Sequence, residues 1–369
     1  MPKRGENIYK RKDGRWEGRT TITLDDQSSK KKSVYGHSYK EVRLKLLELK
    51  AGKSCENHKV PTFQNALEDW LKRKKTTVKI STYNKYHNLI YNYINPSLGS
   101  FFIDDIDSIK VNAFISMLLN KEQKNGSRGI SPKSIRDVCM IIKSCLKYSS
   151  ALYSIETRSL ELYIPASPPK DVQTLTLNEQ RILEQYLRTD TDLKKIGILV
   201  CLYMGLRIGE ICALKWENIN FSEGLLFVEN TLQRVQNFDS GDSRTMVLES
   251  VPKSQCSIRT IPIPDKIIAL IEPLKPTNES AYFLTGVEGK YIEPRMYEYI
   301  FRKYVTASGI SNINFHALRH TFATRCIELN FDIKSLSEIL GHSNTKITLD
   351  RYVHPSIELK RSQMNRLAL

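Results

Sequence analysis

Three short clusters in the second half of the chain place reactive side chains at fixed intervals. The first, Gly205-Leu206-Arg207-Ile208-Gly209-Glu210-Ile211-Cys212-Ala213-Leu214, sets an arginine at a break between a very apolar helical segment and another apolar-periodic one. A guanidinium sunk among apolar neighbours needs an anionic partner, because an unpaired buried cation is prohibitively costly. For this cluster alone, a salt bridge to Glu210 or elsewhere is a better explanation than a bound anion. The second cluster is His316-Ala317-Leu318-Arg319-His320-Thr321-Phe322-Ala323-Thr324. A spacing of three puts His316 and Arg319 on one helix face. His316 and His320 are four apart, as in zinc proteases, but alanine follows His316 where such an enzyme needs glutamate, so no metal site is expected. The third cluster is Leu340-Gly341-His342-Ser343, with Tyr352 ten residues after His342 and His354-Pro355 beyond. Taken singly, Tyr352 reads better as a packed aromatic than as a reactive group.

Taken together, these residues resemble the catalytic box of the tyrosine recombinase (phage integrase) family: Arg, then Lys, then His-x-x-Arg, then His, then Tyr. Order and spacing match over roughly the last 190 residues, flanks included. The resemblance makes Arg207 and Arg319 a phosphate clamp, His316 and His342 supporting histidines and Tyr352 the nucleophile. Glu210 falls at an acidic position that supports the first arginine. The family's lysine lies on a β-hairpin before an Arg-x-x-Pro segment, and Lys253 precedes Arg259-Thr260-Ile261-Pro262 at about that distance. The family chemistry implies a 3′-phosphotyrosyl bond that conserves the phosphodiester energy, so neither cofactor nor metal is expected.

The chemistry suits these residue types. A phosphodiester transition state gathers negative charge on its nonbridging oxygens, where two fixed guanidiniums offer bidentate donors. A phenol with pKa near ~10 is a poor nucleophile at neutral pH unless cations and a base favour the phenolate, and His316 is the candidate base. The departing 5′ oxygen needs a proton, which a lysine can give and an arginine cannot; Lys253 is the candidate acid.

These residues must be held by elements that the rest of the chain supplies. At 369 residues, two or three domains can each bury a core without covalent staples. The first 60 residues read as three strands, Asn7 to Lys12, Arg15 to Leu24 and Lys31 to Gly36, with Asp13-Gly14 as a turn. Ser38 and Glu41 have capping-box spacing at the head of a helix that repeats Val42, Leu46 and Leu49 and stops at Gly52. Helices follow over Phe63 to Lys74, Thr82 to Ile94, Ser108 to Asn120 and Pro132 to Leu152, with Ser131-Pro132 as a start signal. Ile164-Pro165-Ala166-Ser167-Pro168-Pro169-Lys170 cannot continue a helix. Beyond it, Thr176 and Glu179 open a mostly helical region interrupted by strand-like residues from Leu225 to Pro264. The expected fold is multidomain and mainly α with small β parts. Its divisions are a sheet-plus-helix module at 1–60, a helical SAM-like module at 61–163, a linker at 164–173 and a mixed, mostly helical catalytic domain at 174–369.

Composition narrows the partner. A net charge of +16 and a pI near 9.4 favour a polyanion, and residues 1–60 hold sixteen Lys/Arg against eight Asp/Glu. Seven cysteines without CxxC spacing argue against a disulfide framework or a zinc ribbon. The apolar run from Ile196 to Met204 is about half the roughly 20 residues a membrane helix needs, so a cytoplasmic protein, nucleoid-associated when on DNA, is expected. The basic front end, with Tyr9, Lys10, Arg11, Asp13, Gly14, Arg15 and Trp16, resembles the arm-type DNA-binding domain of phage and conjugative-transposon integrases. The helical middle resembles their core-binding domain, where Lys72, Lys74, Lys79 and Lys85 are the candidate phosphate contacts. The resemblance implies integration and excision of a bacterial mobile element through a Holliday junction. It further implies double-stranded arm-type and core-type attachment sites, a homo-tetramer on DNA, and excisionase and DNA-bending partners. A non-cutting DNA-binding regulator on the same scaffold would be marked by a lost Tyr, Arg or His, and a type IB topoisomerase by the lack of a front module. The tail, with Ile357, Leu359, Met364 and Leu367, is expected to pack on a neighbouring protomer.

Overall fold

The structure is a computed structural model and describes residues 7–11, 14–23, 29–50, 60–120, 129–155, 159–166, 172–238, 245–250, 255–352, 361 and 364–365. The chain forms two compact units, residues 1–78 with 85–166, and residues 79–84 with 167–369.

The first unit begins with an antiparallel sheet in the order β1 (Ile8–Lys10), β2 (Trp16–Thr23) and β3 (Ser29–Gly36), followed by α1 (Tyr39–Lys50). Register places Ile8, Gly18 and Val34 side by side, and Val42 and Leu46 of α1 close a small core with Ile8 on that face. A side chain at position 18 would collide with both Val42 and Leu46, so glycine lets the helix approach the strand. The predicted cap of α1 forms in half: Ser38 Oγ accepts Glu41 N–H at 3.2 Å, but the Glu41 carboxylate accepts from His37 N–H at 2.9 Å instead of Ser38. The predicted stop at Gly52 lies outside the described residues.

Next come α2 (Phe63–Thr77), α3 (Ile80–Leu89), a π-helical turn at Ile90–Ile94, α4 (Asn95–Leu98), α5 (Ser108–Asn120) and α6 (Pro132–Tyr153). Residues 79–84 group with the second unit. The predicted helix ending at Ile94 instead runs on through the wider turn, and Pro96 sits in the first turn of α4, where its missing N–H costs nothing. Phe63, Leu67, Trp70 and Leu71 of α2, with Ile135, Val138, Ile142 and Leu146 of α6, are buried.

The second unit is built on α7 (Leu177–Leu187), α8 (Leu193–Met204) and α9 (Ile208–Ala213), then β4 (Ile219–Asn220), β5 (Leu225–Val228), β6 (Thr231–Gln236), β7 (Thr245–Ser250) and β8 (Arg259–Pro262). α10 (Asp265–Ile271), α11 (Pro294–Ser308), α12 (His316–Glu328), α13 (Ile333–Leu340) and α14 (Thr345–Tyr352) complete it. Thr176 and Glu179 make the reciprocal capping box predicted for α7. The strands pair as β4-β5-β8 and as the separate hairpin β6-β7. α8 is buried almost throughout at the centre of the apolar core, with α12 packed against it. No helix among the described residues is long and apolar enough to cross a membrane.

Candidate active site

α8 stops at Gly205, whose φ of +65° is the left-handed conformation that glycine adopts without strain, and its N–H bonds back to Cys201. The turn sets Arg207 at the head of α9, where Glu210 folds back on it. Glu210 Oε2 accepts the Arg207 backbone N–H at 2.9 Å, and Oε1 accepts Arg207 Nη1 at 2.6 Å. Arg259, the first residue of β8, reaches the same carboxylate with Nη1 at 3.0 Å and Nη2 at 2.9 Å. Burial alone would raise the Glu210 pKa, but the hydrogen bonds and charge of Arg259, then the charge of Arg207, hold it down at about 2.

A second convergence lies at the C-terminal end of α13. Three successive carbonyls there, which no intrahelical N–H reaches, accept from three different arginines. Ile339 O takes Arg259 Nε at 2.6 Å, Leu340 O takes Arg319 Nη2 at 2.5 Å, and Gly341 O takes Arg207 Nη2 at 3.1 Å. The other Arg319 nitrogen, Nη1, bonds Gly205 O at the end of α8 at 2.8 Å. Both helices present their negative poles, which offset repulsion among the guanidiniums. Burial, then Arg207, push the Arg319 pKa down to about 9, which leaves it a cation at neutral pH. The expectation of a deeply sunk arginine at 207 is corrected here: the Arg207 side chain is 35% accessible, whereas Arg319 is 2% accessible. The first arginine gains its anionic partner within one helical turn and keeps an open edge; the buried one is satisfied by main-chain carbonyls.

Tyr352, the last residue of α14, is packed beside Ala323, Cys326, Leu336 and Leu340. Its hydroxyl lies 2.7 Å from Nδ1 of His320, the sequence neighbour of Arg319, whereas His316 packs edge-on against His320 with ring centroids 4.4 Å apart. Burial raises the phenol's pKa, while Arg319, Arg351 and Arg207 pull it down. His342 follows the α13 end; its Nδ1 is 2.9 Å from Thr348 Oγ1, and its ring lies parallel to that of Tyr352 at 6.5 Å. Burial first, and the arginines with it, push His316 to about 4 and His342 to about 3. For His320 the order is burial, His316, Arg351 and Arg319, and the result is again about 4. The free site therefore holds neutral imidazoles among fixed cations, an arrangement that favours an incoming anion.

The structure thus gathers Arg207, Glu210, His316, Arg319, His342 and Tyr352 about the ends of α8 and α13. Lys253 lies outside the described residues. Arg259, His320 and Arg351 join the cluster without having been singled out for it. Among the described residues, no group of three or more His, Cys, Asp and Glu could hold a metal ion.

The other basic candidates are spread over the first unit and the short segment 79–84. Lys10 and Trp16 pair across β1 and β2; Trp16 packs edge-on against Tyr39 and against the core under α1. Tyr9, Glu17 and Tyr35 are adjacent across the opposite face of the sheet, and Arg11 and Arg15 are exposed near its first turn. Glu17, 2% accessible, binds Arg11 Nη1 at 3.0 Å and Arg19 Nε at 2.8 Å; Arg11 lies over the Tyr35 ring and Arg19 over the Tyr9 ring. Lys72 pairs with Asp69, Lys74 lies over Trp70, Lys85 pairs with Asp137, and Lys79 is exposed.

Residues 173–358 match the Phage integrase family, and residues 62–119 match the Phage integrase N-terminal SAM-like domain. The Tyrosine recombinase XerC-like protein of Caldanaerobacter subterraneus subsp. tengcongensis is 28% identical, over 93% of both chains. Among solved structures, the Tn1549 transposon integrase in complex with transposon right end DNA has the same fold. It superposes with a TM-score of 0.68 at 22% identity, covering 84% of this chain and 100% of that one. A lambda integrase tetramer bound to a Holliday junction gives 0.57 at 16% identity over 94% and 95% of the two chains. With the family match spanning half of the sequence and enclosing every member of the arginine, histidine and tyrosine cluster, the chain belongs to the phage integrase family of tyrosine recombinases.

Proposed function

We propose that this recombinase integrates and excises a bacterial mobile element, with Tyr352 attacking the scissile phosphate. The family membership makes the enzyme a site-specific DNA breaking and rejoining catalyst. In the proposed step, Arg207 and Arg319 bind the nonbridging oxygens, Glu210 holds Arg207 in place, and His316 and His342 are the supporting histidines, His316 being the base that the sequence suggested. Lys253 protonates the departing 5′ oxygen. The resulting 3′-phosphotyrosyl ends are exchanged through a Holliday junction. The observation that carries the reading is the fixed guanidinium group at the end of α13, within electrostatic reach of a phenol on the same chain.

The organisation proposed around this site has an arm-type DNA-binding domain at 1–60, a core-binding domain at 61–163, a linker at 164–173 and the catalytic domain at 174–369. Lys10, Arg11, Arg15 and Trp16 serve the arm site, and Lys72, Lys74, Lys79 and Lys85 the core site. Structures of related-fold integrases on transposon-end DNA and, as a tetramer, on a Holliday junction support DNA as the partner and a tetramer as the working assembly. An arm module lets one protomer hold two DNA sites, which raises their effective concentration and lets excisionase and DNA-bending proteins set direction. The tail beyond Tyr352 is proposed to join neighbouring protomers.

The test is a suicide-substrate assay. Duplexes spanning one end of the element that carries the gene, nicked at successive positions, are incubated in EDTA with wild type or Tyr352→Phe and run on a denaturing gel. A covalent adduct formed by the wild type alone is expected. Tight binding without an adduct from either protein would replace this reading with that of a non-cutting DNA-binding protein.

A further inference from the structure

Among the described residues, His320 is the histidine whose ring nitrogen touches the atom that must react. Its Nδ1 is 2.7 Å from Tyr352 Oη, with the rings tilted and their centroids 5.5 Å apart. His316, four residues earlier on α12, meets the edge of His320 and feels the charges of Arg319, Arg351, Arg207 and Glu210. Both histidines feel Arg319 and Arg351; what sets His320 apart is its contact with the phenol.

We propose that His320, in place of His316, is the proton acceptor for Tyr352 in strand cleavage. The proposal rests on the reading of Tyr352 as nucleophile. Neutral His320, carrying its hydrogen on Nε2, presents the Nδ1 lone pair to the phenolic O–H. As the Oη–P bond forms and the P–O5′ bond breaks, the phenolic proton passes to Nδ1. The products are phosphotyrosine at position 352, an imidazolium at position 320 and a 5′ hydroxyl whose proton comes from a second acid, Lys253 in the reading above. Rejoining reverses each transfer.

The surroundings make this base dependent on its substrate. Its charged and titratable neighbours are His316 and Arg319 from α12 and Arg351 from α14, while His342 lies alongside the Tyr352 ring. Without DNA, burial first, and His316, Arg351 and Arg319 with it, keep His320 a weak base, and burial keeps the proton on the phenol. A phosphate held by Arg319 offsets that arginine's part of the effect and raises the imidazole's affinity for a proton at the moment a target is present. The same contact thus restrains Tyr352 in the free protein and activates it on DNA.

The deciding experiment compares wild type, His320→Asn and His320→Ala in single-turnover adduct formation on the nicked element-end duplexes, from pH 5 to 9. Asparagine places Oδ1 and Nδ2 where Nδ1 stood, so it keeps a hydrogen bond to the phenol in either direction but cannot take a proton. The expected result is a loss of roughly 10²-fold in both variants, at undiminished DNA binding, with the acid limb of the wild-type profile gone. Added imidazole is expected to restore adduct formation in His320→Ala and not in His320→Asn, where the site stays filled. If His320→Asn keeps the wild-type rate and profile, His320 only positions Tyr352 and the proposal falls. If the wild type itself gives no Tyr352-dependent adduct, the recombinase reading fails and this inference falls with it.

Discussion

Replacing Glu210 by glutamine tests whether one buried carboxylate holds the arginine cluster together. Both oxygens are in use: Oε1 accepts from Arg207 Nη1 and Arg259 Nη1, and Oε2 accepts from the Arg207 backbone and Arg259 Nη2. The side chains of Glu210 and Arg259 are 3% and 5% accessible, so water cannot take over. Glutamine keeps the shape but turns one oxygen into an N–H₂ that meets donors head-on, and it removes the charge. A carboxyl whose pKa falls from its ordinary 4.5 to about 2 favours folding by roughly 3 kcal/mol at neutral pH, at about 1.4 kcal/mol per pH unit. Breaking a buried pair from one side costs a similar ~3–5 kcal/mol. In urea, with a slope of about 2–3 kcal/mol per molar, the unfolding midpoint of the second unit is expected to drop by about 1 M. Hydrogen exchange in α9 and β8 should rise with it. The deficit should be full above pH 4.5 and shrink as pH falls through 2, because the folded-state pKa is the depressed one. Removing Arg259 as well, as Glu210→Gln with Arg259→Met, should cost less than the two single losses combined. A midpoint shift under about 0.3 M in Glu210→Gln, with exchange unchanged, would refute the reasoning and assign the cohesion to the α13 carbonyls alone.

Further outcomes follow from other parts of the structure. Gly205→Ala should cost more than Gly289→Ala in thermal melts. Both sites have φ near +65° to +70°, worth about 1–2 kcal/mol for a side chain, but only at 205 would the new methyl meet Phe322 at 2.6 Å. His316, His320 and His342 have folded-state pKa values of about 4, 4 and 3, below those of unfolded histidine, so unfolding near pH 5 should take up about three protons from these residues. Their contribution to stability is complete above the unfolded histidine range and is lost as pH falls from there toward 4; denaturation in buffers of different ionisation heat measures the uptake. Glu17→Gln should weaken binding of element-end duplexes although it adds positive charge, because Arg11 and Arg19 lose the anchor that holds them beside Tyr35 and Tyr9. Tighter binding in a salt titration would contradict that account.

Local signals in the sequence were read well where the physics is local. The Thr176–Glu179 box and the span Ser108–Asn120 depend on neighbours within a turn, and both stand as expected. The family was legible because five separated positions kept one order. What the sequence hid was tertiary. Local apolarity pointed to Arg207 as the sunk cation, yet burial falls on Arg319, whose carbonyl partners lie 114 and 21 residues away. Arg259 served only as a spacing marker for Lys253. Its phase with buried Ile261, two residues on along β8, was a usable sign that its side chain points inward and needs an anion. His320 was weighed only as a metal ligand with His316, and its contact with Tyr352 spans 32 residues of chain. The turn at Ile90–Ile94 leaves no mark on the apolar pattern, which continues through it.

The guanidinium of Arg319 bonds at once to the last turn of α8 and the last turn of α13, so its position records that α8, α12 and α13 have all arrived. Arg207 and Arg259 add α9 and β8 to the same junction. No fragment of this unit that lacks one of these elements can therefore assemble the arginine cluster. Loss of any one of these elements undoes the arrangement the others share: the first of them to come loose takes the arginine cluster apart.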